Sequence, residues 1–156
     1  MNKKILLIDD DVDEFYILRE SLADTGLALE CVYSEDLPAG IIHAKNCQPD
    51  FIFLDIHMPG VDGFRGLSLL QEVGELNHIP IIFYSIDINS DIKTKAVRLG
   101  AYACIEKVNT IKNLAYKLED FFLTTFSPGE GRLKFSRIEA YGTNTDIQDN
   151  SGALRN

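Results

Sequence analysis

Apolar residues along this chain fall into two alternating rhythms. Residues 4–8 and 51–54 read as strands, short apolar runs that halt abruptly at an aspartate, Asp9 in one case and Asp55 in the other. A strand covered on both faces of a parallel sheet has this pattern, because neither face needs polar residues. Elsewhere the apolar residues recur every three or four positions. Val12, Phe15, Leu18 and Leu22 make one helical stripe, with Asp11 and Glu14 placed as an N-terminal capping box and Gly26 as the stop. The same unit then repeats: strand at 27–33, helix at about 35–45, strand at 51–54, helix at about 62–73, strand at 79–84, helix at about 90–99, and strand near 102–105. A last helix carries Ile111, Leu114, Leu118 and Phe121 on one face.

Five strand–helix units with short connections predict an α/β fold with one open, doubly wound parallel sheet of five strands. Each right-handed crossover returns the chain to the same sheet and lays a helix on one of its faces. Five units are too few for an eight-stranded barrel, and no strand runs into a GxGxxG or GxxxxGK[ST] loop, so the nucleotide-binding versions of the fold lose support. After Phe126 the cluster Ser127-Pro128-Gly129-Glu130-Gly131 breaks the pattern. The expected organisation is a domain at 1–126 and a polar tail at 127–156, too short for an output domain. Within the tail, Phe135, Ile138 and Tyr141 are spaced for one or two weak amphipathic turns.

Composition narrows the function. With 156 residues, 46% of them hydrophobic and 25% charged, the chain suits one folded domain. Its formal net charge of −9 opposes nucleic acid and anionic membranes as partners. No run approaches the roughly 18 apolar residues of a membrane span, and the N-terminus leads straight into a strand, so a cytoplasmic protein is expected. Cys31, Cys47 and Cys104 are odd in number and lack CxxC spacing, which suggests neither a disulfide framework nor zinc.

In open α/β sheets, sites form beyond the carboxyl ends of the strands. The polar residues of interest all fall there: Asp9 and Asp10 after the first strand, Asp55 after the third, Ser85 after the fourth and Lys107 after the fifth. Crowded carboxylates repel one another, and a hard divalent cation with oxygen ligands relieves the repulsion, with Mg²⁺ suiting a shallow rim best. An aspartate beside that metal can attack phosphorus in line, while Ser85 and Lys107 hold the phosphoryl oxygens through hydroxyl and charge. Simpler readings attach to Asp11 as a helix cap, Gly60 and Gly63 as turn residues, Cys104 as core, and His43 and His78 as surface or loop residues.

Leu7-Ile8-Asp9-Asp10-Asp11, the stretch Leu54-Asp55-Ile56-His57-Met58-Pro59-Gly60-Val61-Asp62-Gly63, Ser85 and Lys107 together resemble the response-regulator receiver domain of the chemotaxis-regulator type, over about residues 3–126. The resemblance implies a flavodoxin-like sheet in the order 2-1-3-4-5. It implies a stand-alone response regulator of a two-component phosphorelay, a switch and not an enzyme, with Asp55 as phosphoacceptor. Asp10, Asp55 and the His57 carbonyl would ligate Mg²⁺ directly and Asp9 largely through water. Ser85 and Lys107 would engage the phosphoryl group. The implied partners are a histidine kinase or histidine phosphotransfer protein and a downstream protein target, with a homodimer as one possible output.

Three positions depart from the family pattern. Cys104 stands where a tyrosine or phenylalanine is usual, Val108 follows the lysine in place of proline, and the bulky Ile86 follows Ser85. His57 and Asp87, each two residues beyond Asp55 and Ser85, are candidates for tuning dephosphorylation. Two other functions compete. One is a pseudo-receiver that binds partners without phosphorylation. The other is a Mg²⁺-dependent phosphatase of the haloacid dehalogenase type, whose DxDx[TV] motif Asp9-Asp10-Asp11-Val12-Asp13 meets only loosely.

Overall fold

Apolar runs that tolerate no polar face end up in the middle of a sheet, and the computed structural model, which describes residues 2–125, places them there. In chain order the elements are β1 (Lys3–Ile8), α1 (Val12–Asp24), β2 (Leu29–Ser34), α2 (Leu37–Cys47), β3 (Phe51–Leu54), β4 (His57–Met58), β5 (Val61–Asp62), α3 (Gly63–Glu72), β6 (Ile81–Ser85), α4 (Ser90–Leu99), β7 (Ala103–Glu106) and α5 (Ile111–Thr125). The five-stranded sheet runs β2-β1-β3-β6-β7 with every pair parallel, the expected 2-1-3-4-5 order when its strands alone are numbered.

Alternation within the buried runs splits the core into two layers. Ile5, Leu7, Phe51, Phe53, Ile82 and Tyr84 face α1 and α5, where Leu18, Leu22, Leu114, Leu118 and Phe122 meet them. Leu6, Ile8, Ile52, Leu54, Ile81 and Phe83 face Leu37, Ala44, Leu67, Leu70 and Ala96 of α2, α3 and α4. Because β1 lies between β2 and β3, the winding reverses at the β1/β3 boundary, and the crevice opens beyond the ends of those two strands.

Local chemistry moves several boundaries. β2 begins at Leu29, after a turn in which Leu27 N–H donates to Thr25 Oγ1 and Leu29 N–H to the Leu27 carbonyl. α2 begins at Leu37 because Asp36 caps it, its side chain accepting from Ala39 N–H at 2.8 Å. The sheet pairing of β6 begins after Pro80, which has no N–H to donate. The β4–β5 hairpin was not expected. Gly60, at φ +81°, reverses the chain so that His57 pairs with Asp62 and Met58 with Val61.

The capping box is only half formed. Asp11 caps α1 by accepting from Asp13 N–H at 2.9 Å, but Glu14 does not return the bond. Asp11 N–H donates instead to Asp9 Oδ1 at 3.0 Å, and Glu14 accepts from the Tyr84 hydroxyl. His43 is not a bystander either. It lies on α2, half-buried, with Nδ1 3.1 Å from Ser34 Oγ. Phe135, Ile138, Tyr141 and the rest of the tail at 127–156 lie outside the described residues.

Asp50 fastens the start of β1 to the loop before β3, its carboxylate accepting from Lys3 Nζ and from Lys4 N–H, both at 2.8 Å. Partial burial works to raise its pKa, yet the bonds from Lys3 and Lys4 outweigh burial and hold it below 3.8. A carboxylate with a depressed folded pKa stabilises above its unfolded value and loses that contribution on acidification. Asp50→Asn is therefore expected to lower unfolding free energy by about 1 kcal/mol at pH 7, with Lys3 discounted for solvent screening. Urea titrations should show the gap to wild type closing below about pH 4.

Candidate functional site

Four strand ends converge on one rim, and backbone bonds continuing the sheet ladder hold them there. Asp9, just past β1, donates its N–H to the Ser34 carbonyl at 3.1 Å, and Asp55, just past β3, donates to the Ile8 carbonyl at 3.0 Å. Lys107, just past β7, donates its N–H to the carbonyl of Ser85, the last residue of β6, at 2.9 Å. Residues 98 positions apart in the chain are thereby brought side by side: Lys107 Nζ donates to Asp9 Oδ2 at 2.7 Å and lies 3.6 Å from Asp55 Oδ1.

Asp9, Asp55 and Ser85 are buried, and Lys107 is 8% exposed at its side chain. Asp10 is exposed, and one oxygen from each of Asp9, Asp10 and Asp55 lies within 4.8 Å of the others. A single ammonium among three carboxylates leaves the cluster acidic. Burial pushes Asp9 up to about 6, against the opposing pull of its bonds from Lys107 and Asp11 N–H. Burial alone would pull Lys107 down, but its bond to Asp9 and the charges of Asp9, Asp55 and Glu14 win and leave its pKa raised, so the ammonium is firmly charged. An all-oxygen, acidic donor set of this kind fits a hard divalent cation.

Ser85 supplies a second sign of a ligand. Its Oγ is buried and has no hydrogen-bond partner among the described residues. A buried hydroxyl left unsatisfied costs about 1–3 kcal/mol, and an incoming oxygen would remove that penalty.

The remaining expected residues sit around the rim. His57 opens β4 and is exposed, as are Ile86, at 67%, and Asp87 on the loop after β6. Cys104 is buried in the core layer against α2, α3 and α4, and burial raises its thiol to about 11, so it is an inert small core residue. The peptide joining Lys107 to Val108 is trans, as are all peptides among the described residues. Two neighbours of Lys107 escaped the sequence reading. Its Nζ stands 5.4 Å from the centroid of the Tyr84 ring, and the Tyr84 hydroxyl meets Glu14 Oε2 at 3.5 Å. The available signal was a lone phenol in an otherwise apolar buried run, since a buried tyrosine hydroxyl seeks a partner.

Residues 5–119 match the response regulator receiver domain. The chain belongs to this family. The receiver domain is 36% identical over 104 residues to the two-component response regulator ORR21 of Oryza sativa subsp. indica, covering 63% of this chain and 14% of that protein. It spans a quarter or less of the plant response regulators that it matches. To the chemotaxis protein CheY-3 of Vibrio cholerae it is 28% identical over 121 residues, 78% of this chain and 92% of that protein. Among solved structures, the phosphorylated cyanobacterial phytochrome response regulator RcpA superposes with a TM-score of 0.65 at 25% identity, covering 79% of this chain and 93% of that one. Receiver domains are phosphoacceptor modules of two-component signalling, and their flavodoxin-like sheet is the one found here. Among the described residues no helix is long and apolar enough to cross a membrane.

Proposed function

We propose that this receiver domain accepts a phosphoryl group on Asp55 from a histidine kinase or histidine phosphotransfer protein and signals by phosphorylation-dependent binding to a downstream protein. One observation carries the reading: Lys107 bridges Asp9 and Asp55, and the buried Ser85 hydroxyl at the neighbouring strand end has no partner among the described residues. Asp9, Asp10, Asp55 and the His57 carbonyl would hold Mg²⁺. When bound, the ion supplies positive charge that offsets the carboxylates and the phosphoryl oxygens.

An Asp55 oxygen attacks phosphorus as the phosphorus–nitrogen bond to the donor histidine breaks, so one P–O bond replaces one P–N bond. Lys107, already charged, shifts from the carboxylates toward a phosphoryl oxygen, and the Ser85 hydroxyl donates to another. We place the protein in the cytoplasm, and homodimerisation is one form the downstream contact can take. Family membership and the acid cluster support this reading over a dehalogenase-type phosphatase, whose second motif aspartate would be Asp11, here used to cap α1.

Incubation with acetyl phosphate is expected to label the wild-type protein stoichiometrically and only with Mg²⁺, and to leave Asp55→Asn unlabelled. A wild-type protein that folds but takes no label would be a pseudo-receiver. Repeated turnover of a small phosphomonoester without a stable adduct would instead indicate a phosphatase.

The exposed pair His57 and Asp87 provides a finer test. We propose that their side chains restrict water at the phosphoryl group. His57→Ala and Asp87→Ala are each expected to shorten the lifetime of phosphorylated Asp55 about threefold, equivalent to about 0.7 kcal/mol of barrier. Equal decay in wild type and both variants would refute the role.

A further inference from the structure

Tyr84 immediately precedes Ser85 on β6, and strand alternation turns its side chain to the opposite face of the sheet. That face is the layer shared with α1 and α5, where its companions Phe51, Phe53, Ile82 and Phe122 are hydrocarbon. Tyr84 is fully buried and packs its ring against Phe53 at 5.9 Å between centroids. Its hydroxyl crosses to α1 and donates to Glu14 Oε2 at 3.5 Å.

Lys107 emerges from the strand next to β6, and its ammonium stands 5.4 Å from the centre of the Tyr84 ring. The ammonium is therefore attracted by Asp9 and Asp55, by the charge of Glu14 and by an aromatic ring. The two carboxylates would also serve the metal and the phosphoryl group, so their hold on Lys107 changes with the state of the site. The ring has no such competing duty. A cation near an aromatic face is attracted by the ring quadrupole, the more so when both are shielded from water.

We infer that Tyr84 is a positioning residue for Lys107: its ring holds the ammonium at the rim while the hydroxyl bond to Glu14 fixes the ring in place. The kinetic consequence rests on Asp55 being the phosphoacceptor, whereas the contact itself does not. Tyr84 touches neither the reacting carboxylate nor phosphorus in this scheme and acts only through Lys107.

The test uses the full chain carrying 3-fluorotyrosine, with the Tyr84 ¹⁹F resonance assigned by its disappearance in Tyr84→Phe. That resonance is expected to move in Lys107→Met and in Glu14→Gln. An unmoved resonance in Lys107→Met overturns the inference, whether or not Asp55 takes a phosphoryl group. The rate of labelling by acetyl phosphate forms the second arm. Tyr84→Leu is expected to slow it about fivefold to tenfold, and Tyr84→Phe, which keeps the ring, to restore it to within about twofold of wild type. In a Lys107→Met background, Tyr84→Leu should have no further effect, since the residue acts through the lost ammonium. An equal slowing in both backgrounds would mean a merely structural tyrosine and overturn the inference. Failure of wild type to label would overturn the phosphoacceptor reading alone, with the ¹⁹F arm still deciding the contact.

Discussion

Lys107→Met is expected to destabilise the metal-free protein by about 3 kcal/mol at pH 7.5, because removing one partner of a buried ionic cluster leaves uncompensated charge behind. The bridge it breaks is short, 2.7 Å to Asp9 and 3.6 Å to Asp55, and both carboxylates are buried. Asp9 determines how this loss depends on pH. Its folded pKa, about 6, already exceeds 3.8, so the folded state holds the proton more tightly than the unfolded chain. Ionising Asp9 thus lowers stability as pH rises through that window. Without the ammonium its pKa rises further. The deficit of the variant should therefore be small below about pH 6 and grow as pH climbs to 8. Urea titrations in EDTA at several pH values would measure it, and a deficit independent of pH would contradict the account. Adding Mg²⁺ is expected to recover part of the lost stability, since a ligand that binds only the folded state adds RT ln(1 + [L]/Kd).

Gly63→Ala is expected to cost about 2–3 kcal/mol and to displace Asp55. Gly63 opens α3 and its N–H donates to the Ile56 carbonyl at 2.9 Å, which draws the helix onto the segment carrying Asp55. A methyl group there would sit 2.5 Å from Ile56 Cα and 2.6 Å from the Asp55 carbonyl oxygen. Both are backbone atoms, so no side-chain rotation relieves the clash. Gly66, three residues along the same helix, is the control. Its added Cβ would meet Leu54 and Leu37 side chains at 3.5 Å or more, an ordinary contact. Gly66→Ala should therefore be neutral, or stabilising by up to about 1 kcal/mol through helix propensity. Thermal unfolding of both variants, with acetyl phosphate labelling of each, checks the contrast. Equal stability in the two would show that the helix shifts freely and that Gly63 does not position Asp55.

Much of this was legible in the residues because buried parallel strands announce themselves. Two-sided burial strips polar residues from runs such as residues 51–54, and the acids that end those runs mark the open edge of the sheet. The order of Asp9, Asp55, Ser85 and Lys107 on successive strand ends could be read without coordinates, as could the winding of the sheet.

Partnerships among side chains could not be read that way, because local spacing is blind to what lies across the sheet. Asp11 and Glu14 have capping-box spacing, yet the Asp11 N–H goes to Asp9 and Glu14 turns to Tyr84. His43 has no partner nearby in the chain but reaches Ser34 from the next element. Gly63 reads as a turn residue until the backbone of Asp55 and Ile56 is found against it. Which chemistry lies at the carboxyl edge follows from the order of residues alone, through the burial and crossover rules that any such chain obeys. That Lys107 rests on Asp9 and Asp55 beside the Tyr84 ring emerges in the packed fold, because those distances depend on how four separate strand ends come together.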